Sequence, residues 1–406
     1  MKKMAIVAPS DSPIPAVCGG AVETLTTYFL TENEKKPTFE IDVYCCCNKN
    51  LDGMLFNYTH IMQVQKPLFH KIIKMYCSIL NRLYTMLNIS KARFYFDKHI
   101  AKSIDYSKKY DYILIENNMN VFKYILKYRL GNEKLYFHLH NDVGDSAYKN
   151  KSLCQLVYRN CAGIFCASKY LFKRFEDVVE GDYYGKIKLL TNCVDFHMFT
   201  TQSDNIVNDI KNKYGIENDE YIVLYSGRIT PEKGVLELVQ AVRSIDKDVH
   251  MRCIVIGGNW FGSRKENAYM NLIRELARED NRIILLGYIE YKDMAKYYQL
   301  ADLTIVPSKW EEPFGMVALE ALSMGCPIAV TKKGGLKNIP NDLCGDYIEN
   351  EPSMQEGIRK VILKNMYRTK QEQNDRRVYA YNRAHEDFYD TNQYFEILKE
   401  EIINNE

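Results

Sequence analysis

Short apolar runs recur along this chain, each followed by a longer stretch of helical pattern. That alternation limits the possible folds more than any other feature. Met4–Ala8, Ile41–Cys46, Tyr112–Glu116, Lys134–His140, Ala162–Ser168 and Lys186–Asn192 each read as a buried parallel strand. Between them lie helical stretches such as 21–30, where Val22, Leu25 and Phe29 share a face. Asn192–Phe199 and the polar stretch Thr200–Asp219 read as a crossover. The pattern then restarts with Tyr221–Gly227, Arg252–Gly257, Arg282–Gly287, Leu303–Pro307 and Pro327–Thr331. Two blocks of strand and helix predict an α/β protein of two doubly wound domains, and 406 residues suit that number.

Composition removes several function classes. A formal net charge of +2 gives no whole-chain signal for nucleic-acid binding. The 12 cysteines form no Cys-x-x-Cys pair; Cys45, Cys46 and Cys47 are consecutive, and Cys161 and Cys166 are separated by four residues. Neither structural zinc nor a disulfide framework is expected, and scattered thiols fit a reducing cytoplasm. The opening residues are too short an apolar run for a secretory signal. No run of about 18 apolar residues is present to cross a membrane.

In open α/β sheets, ligands bind beyond the carboxyl ends of the strands. Gly19, Gly20, Glu116, His140 and Ser168 fall at such ends. A Pro-, Ser- and Gly-rich loop ending in Gly19-Gly20 opens a helix, an arrangement that suits phosphate, although it lacks the G-x-G-x-x-G spacing. His138 and His140 point the same way along a strand; His140, nearer its end, is the better functional candidate. In the second block, Arg228 and Lys233 follow the first strand and precede a helix over Val235–Arg243. A guanidinium fork and an ammonium there suit an anion, though two cations in a turn are also ordinary surface.

Glu312 and Glu320 stand eight residues apart around an apolar helix expected to begin near Phe314 and stop at Gly325. Glu312 would lie at the helix's positive end, an anion site. Glu320 shares a face with Val317, Ala321 and Met324, so it needs hydrogen-bond donors; a ligand's hydroxyls would serve.

Taken together, Gly227-Arg228, Lys233-Gly234 and the Glu312 to Glu320 spacing resemble the retaining glycosyltransferases of family four, which have the GT-B fold. Gly19-Gly20, Ala167-Ser168, Asn192 through Phe199, Val255–Gly258 and Leu286-Gly287-Tyr288 support the resemblance in the right order. It implies two Rossmann-like domains facing across a cleft: an acceptor-side domain over 1–195, a nucleotide-sugar domain over 200–380, and a last helix, 385–406, packing back on the first. It implies that Arg228 and Lys233 hold the donor diphosphate, that Glu320 binds the ribose, and that Ile289 holds the base. Glu312 and the amides of Phe314, Gly315 and Met316 would orient the sugar; Gly20, beside Gly19, would approach the phosphates, and His140 the reacting carbon.

The expected chemistry is front-face transfer from a nucleotide-sugar, a UDP-sugar by family frequency, to a saccharide or lipid-linked acceptor of a cell-surface glycan. Departing negative charge is met by Arg228, Lys233 and the helix end. No cofactor beyond the donor and no catalytic metal is expected; Asp246 and Asp248 have the D-x-D form but precede a strand and read as a surface turn. A non-catalytic partner subunit is the alternative from another class, and it would tolerate loss of Arg228, Lys233, Glu312 and Glu320, which are all present. A GT-B sugar-nucleotide epimerase fits the loop Gly227–Gly234 less well.

Residues 66–109 carry ten basic side chains against Asp97 and Asp105. Leu68, Ile72, Tyr76, Ile79 and Leu83 interleave with them at helical spacing. That pattern predicts either a packed helix with a basic face or peripheral contact with anionic lipid.

Overall fold

The apolar runs become parallel strands, and two sheets result. The computed structural model describes residues 1–9, 12–86, 95–143, 147–258 and 268–404. Among them the chain divides into one unit of Met1–Thr191 with Asn392–Glu406, and a second of Asn192–Thr391.

The first unit holds strands β1 (Lys2–Val7), β2 (Phe39–Cys46), β3 (Thr59–Val64), β4 (Tyr112–Glu116), β5 (Lys134–Leu139), β6 (Gly163–Cys166) and β7 (Ile187–Leu189). Their order is β3-β2-β1-β4-β5-β6-β7, parallel throughout. The second unit holds β8 (Tyr221–Ser226), β9 (Met251–Ile256), β10 (Ile283–Gly287), β11 (Leu303–Val306), β12 (Ile328–Thr331) and β13 (Gly345–Ile348), ordered β10-β9-β8-β11-β12-β13. In each sheet the chain winds outward one way and then the other. The order therefore reverses between β1 and β4, and between β8 and β11. A crevice at the carboxyl ends of such a strand pair is where ligands enter this kind of sheet.

Two strands escape the apolar-run pattern. β3 is a sheet edge buried only at its two ends, Thr59 and Val64, and β13 is a four-residue edge opening on Gly345 with buried Asp346. Thr200–Asp219 is no simple crossover, because it contains a helix, Asp204–Tyr214, within the second unit. The chain changes unit at 191/192 rather than after 195, and returns at 391/392 rather than near 385. The helix Lys370–Asp387 stays with the second unit, where Ala380 and Ala384 are fully buried in its core. The last helix, Thr391–Ile403, supplies most of the segment that returns to the first unit. All twelve thiols are free.

Candidate functional site

In the second unit the site grows from the β8–β11 switch point. After β8 the chain runs through Gly227 and Arg228 into a single turn, Pro231–Lys233, and then the helix Val235–Arg243. Gly234 closes this loop at φ +73°, where a Cβ would lie 2.0 Å from the Pro307 carbonyl; only glycine lets the loop lie against the end of β11. The Lys309 amide donates to the Glu232 carbonyl at 2.8 Å and ties the two loops together.

The two cations of this loop both meet carboxylates. Lys233 Nζ donates to Glu312 Oε1 at 2.5 Å and lies 5.0 Å from the centre of the Trp310 ring. Arg228 Nη2 lies 3.6 Å from Glu232 Oε1. The Ser308 hydroxyl, just past β11, also donates to Glu312 Oε1. Glu312 is thus a buried, ion-paired acid rather than a loop carboxylate waiting for an anion. Lys233 has three donors, so the pair leaves capacity for a further oxygen ligand.

The helix after Glu312 starts later than its sequence suggests. It spans Met316–Ser323, and the Pro313-Phe314-Gly315 segment lies outside it. Gly315 has φ +119°, which a helix forbids, and a Cβ there would sit 2.7 Å from Leu336 Cδ1. Its carbonyl accepts from the Ala318 amide at 3.0 Å, so Met316 and Val317 lie ahead of the first intrahelical bond. Phe314 is buried edge-on against Phe388.

Glu320 does not depend on a ligand to be solvated. Tyr298 donates to its Oε2 at 2.8 Å and Tyr291 to its Oε1 at 3.1 Å. Burial still dominates and raises the carboxyl to about 7, against the lowering by the two phenols. The acid and the carboxylate therefore coexist near neutral pH, each oxygen keeping room for a second donor. Ile289 is half-buried and packs on the same apolar cluster as Tyr291, Met316 and Val317. Ser308, Trp310, Tyr291 and Tyr298 were not singled out in the sequence. A lone acid in an apolar helix signals that donors must exist, but not which ones.

The first unit has its own constellation. Gly19 and Gly20 adopt φ +77° and +116° ahead of the helix Ala21–Lys35, and the Glu23 carboxylate folds against Gly20. At the end of β4, Glu116 Oε2 lies 2.9 Å from His140 Nε2. His138 Nδ1 is 3.3 Å from the same oxygen, but without hydrogen-bond geometry. All three side chains are buried. Ser168 is a helix N-cap instead, its hydroxyl accepting from the Leu171 amide at 3.1 Å.

Glu116, His138 and His140 also place three ligand atoms within 4.8 Å of one another, a spacing a metal ion can use; exposed Glu217, Asp219 and His250 do the same. Asp246 and Asp248 are exposed in the turn before β9.

Residues 207–378 match the family described as "Glycosyl transferases group 1". A lipopolysaccharide 1,2-N-acetylglucosaminetransferase of Salmonella typhimurium is 29% identical over 251 residues, 61% of each chain. The chain thus spans somewhat under two thirds of that relative's length. The putative glycosyltransferase YtcC of Bacillus subtilis is 26% identical over 82% of this chain and 75% of its own. Among solved structures, Anabaena Alr3699/HepE in complex with UDP and glucose superimposes with a TM-score of 0.72 at 17% identity, covering 98% of both chains. WaaG, a glycosyltransferase involved in lipopolysaccharide biosynthesis, gives 0.64 at 17% identity over 98% of this chain and 99% of that one.

Proposed function

We propose that this chain, whose residues 207–378 match the group 1 glycosyltransferase family and whose fold is GT-B, moves a sugar from a UDP-sugar to a saccharide or lipid-linked acceptor with retention at the anomeric carbon. The observation that carries this reading lies at the β8–β11 switch point: Lys233 and Ser308 bonded to Glu312, with Arg228 paired to Glu232 in the same loop, beside the start of the helix Met316–Ser323. Two cations and open helical amides there match a leaving diphosphate. Glu320 takes the ribose hydroxyls on its unused lone pairs, and Ile289 supports the base. Glu312, fixed by Lys233 and Ser308, orients the sugar with the amides of Phe314, Gly315 and Met316. In the first unit, the Gly20 backbone approaches the phosphates only once the Glu23 carboxylate has turned off it, and His140 meets the sugar. The leaving phosphate oxygen accepts the proton of the incoming hydroxyl, so no separate base and no metal enter the step.

A thermal-shift series against UDP-, GDP- and ADP-sugars tests the donor, with UDP-sugars expected to raise the melting temperature by mass action. Arg228→Ala and Lys233→Ala should each cut turnover by roughly 10- to 1,000-fold. Near-native turnover in either variant, or turnover lost to EDTA and restored by magnesium, goes against this reading.

The acceptor is proposed to be met at a membrane surface. The observation is the helix His70–Met86, whose Ile72, Met75, Tyr76, Ile79 and Met86 are all more than half exposed, alongside exposed Lys71, Lys74 and Arg82. No acidic residue occurs from Gly53 to Phe96. An apolar stripe flanked only by cations is complementary to anionic lipid. Lys91 and Arg93, part of the same basic stretch, lie outside the described residues.

A further inference from the structure

Three buried titratable side chains meet at the carboxyl ends of β4 and β5, more than one sugar-contacting histidine requires. Glu116 pairs with His138 in the strand register, and His140 lies two residues on, so the pleat sets all three on one face. Asn117 locks these ends together. Its amide donates to the His138 carbonyl at 2.8 Å, and its Oδ1 accepts from the amides of His140 at 3.1 Å and Asn141 at 3.0 Å. It does so at φ +53°, a left-handed conformation that asparagine tolerates better than most residues. The turn is built to fix the position of His140 relative to Glu116.

We propose that Glu116 is a positioning residue: by accepting the Nε2 proton of His140, it holds that imidazole in the tautomer whose Nδ1 offers a lone pair to a sugar hydroxyl. This rests on the reading that His140 meets the sugar. The contact is 2.9 Å, and an ionised carboxylate can only accept, so Nε2 carries the hydrogen. Burial alone would raise Glu116, but His138 and His140 outweigh it and hold the carboxyl at about 2. Burial, and then His138 with its ring centre 3.9 Å away, lowers His140 to about 4 against the pull of Glu116 and of Glu23 from the helix Ala21–Lys35. With Nε2 donating to Glu116 at 2.9 Å, the neutral ring has its one donor spent, and Nδ1 is left as an acceptor. That Nδ1 is buried and has no partner among the described residues. A purely structural pair gains nothing from such an orphan, whereas a ligand hydroxyl fills it. His138 stacks on Tyr394 and so backs the arrangement from behind.

Nitrogen-15 NMR of the full-length, histidine-labelled protein reads the tautomer directly, with His140 assigned by the signals lost in His140→Ala. The native ring should carry its proton on Nε2. In Glu116→Gln the side-chain amide can donate to Nε2, and the proton should move to Nδ1. Turnover should then fall on the order of 100-fold. The donor KM should stay within about threefold, and Glu116→Asp should recover part of the loss. A native His140 protonated on Nδ1 overturns the proposal whether or not the variants fold. Native turnover in Glu116→Gln with activity lost in His140→Ala also overturns it, and leaves the reading of His140 standing. Native turnover in His140→Ala removes the sugar contact and the proposal with it.

Discussion

Between pH 5 and pH 8 Glu320 passes from acid to carboxylate inside the fold, and stability follows its proton. Its carboxyl is raised from 4.5 to about 7, with burial as the main cause. The folded chain therefore holds this proton more tightly than the unfolded chain does. The stability it contributes is complete below the unfolded value and is lost as pH rises through the folded one. Glu320→Gln cannot ionise, so its melting temperature should gain on the native protein as pH rises from 5 to 8, by the equivalent of about 3 kcal/mol at most. If ribose hydroxyls bond to this group, they favour the carboxylate, and donor binding near neutral pH should release a proton. Calorimetric titration in buffers of different ionisation heat would reveal it. Glu320→Gln should lose that signal together with about 1–3 kcal/mol of donor affinity. Unchanged affinity with an altered stability profile would make Glu320 structural. The acid was legible in the sequence because an apolar helix isolates it. Its donors were not, since Tyr291 and Tyr298 lie 29 and 22 residues away and only the fold brings them near. The pairing of Lys233 with Glu312, across 79 residues, was hidden for the same reason, although each residue stood out by its own position.

Helix His70–Met86 shows what periodicity can and cannot say about an element. The helical spacing of its apolar residues is plain in the sequence, but spacing alone does not tell a buried stripe from an exposed one. In the structure Ile72 is 62% exposed and Met86 83%, so the stripe is not spent on the core. The protein should therefore pellet with anionic vesicles and not with neutral ones, and less at high salt, each basic residue near the surface adding about 1 kcal/mol. Replacing Lys71, Lys74 and Arg82 with Gln should release it while leaving donor binding intact. Indifference to anionic vesicles at low salt would reduce this helix to ordinary surface. Elsewhere, element boundaries slipped where a local signal was overruled. Pro313 suggested a helix start, but the positive φ of Gly315 moves the start to Met316. The edge strands β3 and β13 lack a two-sided core, and so lack the continuous apolar run that marked the central strands.

The first unit is completed by the far end of the chain, and the second lies wholly between its two parts. That arrangement came from the resemblance, since nothing in the composition of 385–406 says which sheet it covers. The structure gives it physical content. Tyr394, Phe395, Leu398 and Ile402 are all at most 1% exposed, Phe395 packs 5.1 Å from Phe29, and the Tyr136 hydroxyl donates to the Ile402 carbonyl at 2.8 Å. Burial of four such side chains is worth roughly 6–12 kcal/mol at about 1.5–3 kcal/mol each. A whole domain is typically stable by about 5–15 kcal/mol. Removing residues 392–406 should therefore unfold the first unit or leave it open to protease. The second unit keeps its own sheet, its own core and the set Arg228, Lys233, Glu312 and Glu320. The truncated chain should lose transfer activity and yield a protease-resistant fragment close to 192–391 that UDP still stabilises. A truncated chain with native melting and native protease resistance would show that the terminal helix is not integral to the first unit. A resistant fragment that no longer responds to UDP would show that the second unit alone does not make the donor site.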